Sequence, residues 1–501
     1  MILQGQERNQ THLFTTYEDM ISSANPVRII DFIVTKLIEE NPSSFDYKGK
    51  SHEGRPAYPF SSMINLYIYG MINRIKSTRA LEKECHRNIE LMWLMRGLKP
   101  DFKTISNFRS EQGAIISKFS KDFRRKLKLL GYINKEFAVD GSKFKANASR
   151  ELITRKEVFN QMSDMNKDLQ EYFKLLDAAD KGEEIEIMEK NLLLEKIQSM
   201  EMKIASLNHY ISEMDKQNKN YLSLTDMDCN LMRSRDGNIP AYNVQIAVDS
   251  NSGFIGAEYV TNAANDINEL PNIVCSLVEE LNIEEITTLS DCGYTNLDDI
   301  DKLQHSGTVT CYSALPAESR DANFKYNAER DVFTCPEGKE MSRKGLKKGR
   351  GTSQIIKYRG SECDTCPQKG KCTSSPNGRQ VQRYTNQEFR DNYRTKMQEI
   401  LSKTKIKKRR EVVECVFGSL KIMGGKIPIL TRGLKKVATE IKLYTLSYNF
   451  KHLLGMITLS ELMEQWILVS EKCRKCLVSF FNCRVLSILV FNKPNILHNA
   501  S

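Results

Sequence analysis

Three acidic residues in the 501-residue chain have neighbours that suit a metal-dependent active site: Asp140, Asp291 and Glu414. Asp140 ends a short apolar run and precedes a glycine, and Asp291 ends a similar run. Glu414 lies in residues 405–423, where apolar residues recur on one face of a predicted helix. Three carboxylates that meet would hold two Mg²⁺ or Mn²⁺ ions, which activate a water or a 3′-hydroxyl and stabilise the oxygen leaving phosphorus. Each aspartate alone is also typical of an ordinary turn, so the prediction depends on their combination.

The elements around these acids predict how they meet. Apolar strands at 136–141, 242–249 and 254–260 are followed by a helix, a strand at 286–291, a helix at 297–305 and a strand at 308–313. This order, β-β-β-α-β-α-β, is that of an α/β fold with an RNase H-like mixed sheet core. In that fold the first and fourth strands are neighbours and a late helix packs across their ends. We therefore predict a catalytic domain over residues 131–455 that brings the three acids together.

A coiled-coil-like helical insertion interrupts this core at residues 151–225. Apolar residues recur there at spacings of three and four in two runs, and Gly182 lies between the runs. The pattern predicts either an antiparallel helical hairpin or a coiled-coil dimerisation arm. The sequence does not distinguish these two interpretations.

A second, small cysteine-rich insertion is predicted at residues 316–400, with little core of its own. Its four cysteines have the spacing C-x27-C-x2-C-x5-C, and prolines and glycines lie beside them in knuckle-like turns. Such thiolates suit a structural Zn²⁺ ion, whose binding would order the segment. Ordinary free thiols are the alternative. The residues are Cys335, Cys363, Cys366 and Cys372.

Residues 1–130 are predicted to be helical, with short helices, polar connections and scattered basic residues. This arrangement suits a helix-turn-helix-like DNA-binding domain. A helical bundle that serves only for packing has the same pattern, so both interpretations stay open.

The net charge of +11 is concentrated in one part of the chain. Residues 339–436 carry 26 lysines and arginines against 8 acidic residues, a net charge of +18. Such a block is typical of a protein that binds the phosphate backbone of DNA, although a solvated lysine-rich surface has the same composition. No apolar stretch is long enough for a membrane span, the start lacks the apolar run of a secretion signal, and the 13 cysteines are expected to be reduced.

Several motifs together resemble a bacterial insertion-sequence transposase of the DDE type, of the branch with a helical N-terminal domain and a cysteine cluster before the glutamate. The third catalytic motif is the most specific. Arg410 lies four residues before Glu414 and Lys421 seven after it, which places all three on one helical face. Position 407 is lysine, where related groups often have tyrosine. The other matching segments are residues 54–59, 66–70, 77–82, 93–109, 139–148, 225–228, 242–245, 265–266, 290–294, 432–434 and 448–450.

The resemblance implies hydrolytic nicking at terminal inverted repeats, followed by attack of the freed 3′-hydroxyl on target DNA. It implies that Asp140, Asp291 and Glu414 bind Mg²⁺ or Mn²⁺. The implied partner is double-stranded DNA and, because two DNA ends must be paired, a second copy of the chain. The implied location is the bacterial cytoplasm at the nucleoid. The implied phosphate or DNA contacts are Arg410, Lys421, Lys143 and Lys145.

Two other functions compete with an active transposase. One is a catalytically silent DNA-binding protein, such as a repressor or a domesticated transposase. The other is an RNase H-type nuclease without strand transfer. Residues 456–501 form an atypical C-terminal tail, which we interpret as a dimer contact or as a frameshifted or read-through end.

Overall fold

In this computed structural model, the described residues are 16–45, 56–180, 187–234, 237–316, 323–348, 353–424 and 429–470. The described part before residue 131 is helical, as predicted. Helix α2 is apolar on nearly every side and is buried along most of its length, so the other helices pack around it. The helices are α1 (Val27–Glu40), α2 (Phe60–Ile72), α3 (Thr78–Glu84), α4 (Ile89–Leu94), α5 (Phe102–Glu111) and α6 (Gly113–Leu129).

A mixed sheet lies at the centre of the described chain. Its middle strand β1 pairs antiparallel with β5 on one side and parallel with β7 on the other, and β8 continues the parallel part. The long β5 pairs on its other edge with β4 and then β6. The strands of this part are β1 (Glu136–Lys145), β2 (Leu152–Thr154), β3 (Tyr221–Ser223), β4 (Asn230–Ser234), β5 (Gly237–Asp249), β6 (Ile255–Thr261), β7 (Ile286–Ser290) and β8 (Val309–Ser313).

The first insertion contains two long helices, α7 (Arg155–Asp180) and α8 (Ile187–Lys216), which pack against each other. The short antiparallel pair β2 and β3 closes the base of the hairpin, where α7 begins and α8 ends. Val158, Leu207 and Met214 form a small apolar cluster near this base. The described part is therefore a helical hairpin, and its use as a dimerisation arm stays a prediction. Gly182 lies outside the described residues.

The second insertion has more structure than its sequence predicts. It is a five-stranded antiparallel sheet, in the order β13-β12-β11-β10-β9, with a short helix α11 (Lys369–Cys372). Phe333, Met341, Tyr358 and Val381 form its own buried cluster. The sequence does not predict this sheet, and its buried cluster is small among the described residues. The strands are β9 (Lys325–Asn327), β10 (Val332–Thr334), β11 (Glu340–Lys348), β12 (Gln354–Gly360) and β13 (Gln380–Tyr384).

Helices on the central sheet join it to the N-terminal helices through one continuous apolar core. Phe123 of α6 stacks on Phe450 of α14, with ring centroids 4.3 Å apart. The Asn449 side chain bonds both the N–H and the C=O of Ile255 on β6, at 2.9 Å each. The remaining helices are α9 (Leu270–Leu281), α10 (Leu297–His305), α12 (Gln387–Gln398), α13 (Ile400–Gly424), α14 (Leu434–Leu454) and α15 (Leu459–Ser470).

The first part of the C-terminal tail packs on the N-terminal helices. Trp466 of α15 is buried; its ring meets Phe32 of α1 edge-on at 5.7 Å, and its indole N–H donates to Glu40 at 3.2 Å. Residues 471–501, which carry most of the atypical pattern, lie outside the described residues. Within the described ranges no single helix has the length and composition to cross a membrane. Helices α14 and α15 meet that criterion only as a pair, and the pair is bent by 108°.

Candidate active site

Asp140 lies in the middle of β1, at the point where that strand has lost its partner on one side. β1 pairs with β5 from Phe137 to Lys145, but its parallel pairing with β7 ends at Ala138 and Leu289. The prediction that the strand ends at Asp140 is therefore wrong, because β5 continues beside β1 for five more residues. Asp140 nevertheless lies just beyond the last residue pair between β1 and β7, so no backbone of β7 is paired with it.

Asp291 follows β7 directly, as predicted. Its carboxylate caps the short 3₁₀ turn of residues 292–294 and accepts a hydrogen bond from the Gly293 N–H at 2.9 Å. The Asp291 side chain is 43% exposed, whereas that of Asp140 is 23% exposed. Because β1 and β7 are parallel neighbours, both aspartates lie at the same end of the sheet.

Arg409 of α13 brings the two carboxylates together. Its Nη2 atom lies 2.5 Å from Asp140 Oδ1 and 3.5 Å from Asp291 Oδ2, and its Nε–H donates to the Val139 carbonyl at 3.1 Å. The side chain is 9% exposed. A single cationic nitrogen thus contacts both aspartates.

A third carboxylate, that of Asp266, lies beside this pair. Its Oδ1 accepts hydrogen bonds from Asn243 Nδ2 at 2.7 Å and from Gln245 Nε2 at 2.6 Å. The other end of the Gln245 amide accepts a hydrogen bond from the buried Tyr294 hydroxyl. Since Tyr294 lies three residues after Asp291, this network connects β5 to the turn that carries that aspartate.

The surroundings of Asp140 change its acidity. Burial raises the pKa of Asp140 to about 6, and the nearby Asp291 and Asp266 carboxylates act in the same direction. Arg409 and the Gly141 N–H oppose this rise, because they favour the charged form. A cation bound between the aspartates would act as Arg409 does and would keep Asp140 ionised at neutral pH.

Glu414 is not beside the two aspartates. It lies on α13, its side chain is 63% exposed, and it pairs with Arg410 at 2.9 Å. The pairing agrees with the predicted spacing of four residues on one helical face. Among the described residues, no three His, Cys, Asp or Glu side chains form a group that could hold a metal ion. The structure therefore brings Asp140 and Asp291 together and leaves Glu414 outside that pair.

The predicted phosphate contacts surround the site without forming one cluster. Arg410 is 76% exposed. Lys421 Nζ lies 6.0 Å from the centre of the Phe144 ring on β1. Lys143 and Lys145 are on β1 too, but strand alternation places them on the opposite face from Asp140.

The four predicted zinc ligands line one cavity of about 310 Å³ in the second insertion. Backbone turns hold three of them: the Cys366 N–H donates to the Cys363 carbonyl at 3.4 Å, and the Gly338 N–H donates to the Cys335 carbonyl at 2.9 Å. Burial and the neighbouring thiols raise the pKa of Cys372, against the effect of Arg379. The thiols share a cavity, yet no three of them form a group that could hold a metal in the described part of the chain.

Sequence reasoning missed Arg409, Asp266, Gln245 and Tyr294 as members of the site. For the last three a signal existed, because residues 242–245, 265–266 and 290–294 all belong to motifs that carry the family resemblance. Arg409 stands within a run of basic residues, 407–410, and nothing in that run marks it as the one that contacts the aspartates.

A mixed α/β fold that brings two aspartates and a strongly basic helix to one end of a sheet is typical of enzymes that act on nucleic-acid phosphates. Comparison with protein families specifies the class further: residues 334–454 match the family described as Transposase DDE domain, and residues 15–111 match Transposase domain (DUF772). The chain is an insertion-sequence transposase of the DDE family, an enzyme class that binds DNA and uses divalent metal ions. The first match includes Glu414 but begins after Asp140 and Asp291. No curated protein and no solved structure matches the chain.

Proposed function

We propose that this transposase cuts DNA at the terminal inverted repeats of its element and joins the freed 3′-hydroxyl to target DNA, through Asp140, Asp291 and Glu414. The observation that carries the proposal is the position of Arg409 Nη2, 2.5 Å and 3.5 Å from the two aspartate carboxylates. Two carboxylates that contact one guanidinium supply negative charge and some of the oxygen ligands that Mg²⁺ or Mn²⁺ prefers. When bound, such ions activate the attacking oxygen and stabilise the leaving oxygen.

The chain's own residues have distinct parts in this proposal. The strand ends of β1 and β7 fix Asp140 and Asp291, and the Gly293 N–H orients the second carboxylate. Glu414 completes the ligand set when it leaves Arg410, whose guanidinium is then available to a DNA phosphate. Lys421 supplies further positive charge beside β1. Lys143 and Lys145, on the opposite face of that strand from Asp140, would contact DNA away from the two aspartates.

The strand order supports an RNase H-like core. The order β6-β5-β1-β7-β8, with the first three strands antiparallel and the last two parallel to β1, is the one expected for that fold. We further propose that residues 1–130 form a DNA-binding domain and that residues 131–455 form the catalytic domain. The chain is proposed to act at the bacterial nucleoid. At least two copies would act together, because two DNA ends have to be paired.

A structural Zn²⁺ ion in the second insertion is proposed as well. The support is that Cys335, Cys363, Cys366 and Cys372 line the same cavity, in turns that expose their thiols to it. Zinc binding would draw these thiols towards each other across the cavity.

The test of catalysis is cleavage of a labelled duplex that carries the element's end, with Mg²⁺ or Mn²⁺. We expect Asp140→Asn, Asp291→Asn and Glu414→Gln each to lower cleavage by more than about a hundredfold and to retain DNA binding. Residues that only support metal ligands typically have smaller effects, of about 10–100-fold. Glu411→Gln is the matched control, because Glu411 is exposed on the same helix one turn earlier. Normal cleavage by Glu414→Gln would remove Glu414 from the site. Binding without cleavage by the wild type, with both metals, would favour the silent DNA-binding protein.

A further inference from the structure

Arg409 differs from the basic residues next to it on α13. Lys408 reaches Asn251 at 2.6 Å, and Arg410 pairs with Glu414 on the exposed face of the helix. Arg409 alone of these three contacts Asp140 and Asp291, and its side chain is 9% exposed against 76% for Arg410. This buried guanidinium donates a hydrogen bond from Nε–H to the Val139 carbonyl, and its Nη2 makes ion-pair contacts with both carboxylates.

The position of this guanidinium overlaps with that proposed for a metal ion. A divalent ion bound between the two aspartates would need carboxylate oxygens of Asp140 and Asp291, the same groups that Arg409 Nη2 contacts. A metal ion and a guanidinium that share these oxygens would repel each other at close range in a partly buried site. Binding of one therefore opposes binding of the other.

The same cation also stabilises the site before a metal is present. Asp140 and Asp291 lie near each other, each in contact with the same Arg409 nitrogen, and without that positive charge their repulsion would separate the strand ends. Arg409 reduces that repulsion and, through its bond to the Val139 carbonyl, fixes α13 beside β1.

We propose that Arg409 is a positioning residue that holds Asp140 and Asp291 in place until a divalent ion displaces its guanidinium from them. Its charge then determines how much free metal the site needs. The inference rests on the proposed function, because it takes the two aspartates as metal ligands.

The experiment is a Mn²⁺ titration of the full chain without DNA, followed by electron paramagnetic resonance of free Mn²⁺ and by thermal unfolding. We expect Arg409→Gln to bind Mn²⁺ at about tenfold lower free concentration than the wild type, and to gain more thermal stability from Mn²⁺. Arg409→Lys keeps a cation, so its midpoint of Mn²⁺ binding is expected to stay near that of the wild type. Lys408→Gln is the matched control, because it removes one charge from the adjacent position, and its midpoint should stay within about twofold.

An unchanged or higher Mn²⁺ midpoint for Arg409→Gln would overturn the inference. If this variant fails to fold in chelator, recovery of the fold by Mn²⁺ supports the inference, and failure to recover contradicts it. Asp140→Asn tests the underlying assignment separately. If Asp140→Asn binds Mn²⁺ as the wild type does, Asp140 is not a ligand and the proposed function fails, whatever the Arg409 variants show.

Discussion

Gln245 donates a hydrogen bond from Nε2 to Asp266 Oδ1 at 2.6 Å, and this bond ties β5 to the segment that leads into α9. The opposite end of the same amide accepts from the Tyr294 hydroxyl. Gln245 is fully buried, and both ends of its amide have hydrogen-bond partners within the protein, as buried polar groups generally do. The side chain therefore connects Asp266 to the turn that follows Asp291, and the acidic site depends on it.

Replacement of this amide should disturb both stability and catalysis. Gln245→Leu leaves the buried Tyr294 hydroxyl without its acceptor and removes one donor from Asp266, so we expect a loss of about 1–3 kcal/mol in the free energy of unfolding. Cleavage should fall by about 10–100-fold, as for residues that orient metal ligands. Urea denaturation and the labelled-duplex assay measure the two effects. Tyr294→Phe is the control, since it removes only the hydrogen bond from the Tyr294 hydroxyl and keeps the bond to Asp266. If Gln245→Leu were as stable as the wild type, the prediction would be contradicted.

A buried group of charges joins the N-terminal helices to the sheet. Arg124 of α6 is fully buried and contacts Glu258 of β6 and, at 2.9 Å, Glu280 of α9; Lys442 of α14 contacts the same two glutamates at 2.9 Å. Each charge has an opposite partner, which is the condition under which charges are tolerated in a protein interior.

Loss of one member of this group should be strongly destabilising. We expect Arg124→Met to lower the free energy of unfolding by about 3–5 kcal/mol, because both glutamates lose a partner in a buried site. The exposed pair Lys135–Glu285 provides the control, and Lys135→Met should change the free energy by no more than about 1 kcal/mol. Urea denaturation measures both. Similar losses for the two variants would show that burial does not govern the strength of these ion pairs.

The same group predicts how stability depends on acidity. Burial raises the pKa of Glu280, but Arg124 and Lys442 outweigh burial and hold it below its usual value. A lowered pKa contributes stability that is present above the unfolded value of about 4.3 and is lost as pH falls through the folded value. We expect Glu280→Gln to be less stable at pH 7 and to lose less stability than the wild type between about pH 4.5 and pH 3. Urea denaturation across this range measures the free energy of unfolding of both proteins. Parallel pH profiles for Glu280→Gln and the wild type would contradict the prediction.

The docked part of the C-terminal tail gives a further prediction. Trp466 packs edge-on against Phe32, and the Lys126 ammonium lies 4.5 Å from the centre of its ring. We expect Trp466→Ala to lower the free energy of unfolding by about 3 kcal/mol, as for other buried tryptophans. The control is Ile467→Ala, which truncates a side chain that is 56% exposed and should change stability by less than about 0.5 kcal/mol. Circular dichroism should follow the unfolding, because Trp466 itself contributes to the fluorescence. No effect of Trp466→Ala would show that the tail does not stabilise the fold.

The order of the strands and the place of Asp291 were predictable, because apolar runs that end in an aspartate mark strand ends clearly. The extent of β1 was not predictable. Its continuation past Asp140 depends on pairing with β5, about a hundred residues later, and the residues involved, such as Lys143 and Lys145, are not apolar. A strand that is extended by a distant partner leaves little signal in its own sequence.

The role of Arg409 and the place of Glu414 also depend on tertiary packing. A helix made of successive lysines and arginines is basic on several faces, so only its rotation against β1 decides which cation contacts Asp140. The sheet of the second insertion was not predictable for a similar reason. Its strands β11 and β12 carry many basic residues, and the buried face of the sheet is small. Local patterns predict an element, but they do not predict which side of it meets a neighbour.

The cysteine cavity gives the last prediction. If the four thiols bind zinc, the purified chain should contain about one Zn²⁺ per molecule, and Cys366→Ser should lower that content because a structural site uses four ligands. Chelation should lower the thermal stability of the insertion, since metal binding contributes to its folding. Metal analysis and thermal unfolding measure these effects, and Cys415→Ser is the control because Cys415 is an exposed thiol on α13. A chain purified with added zinc that holds no metal would assign the four residues as free thiols, and the insertion would then depend on its Phe333 and Tyr358 cluster alone.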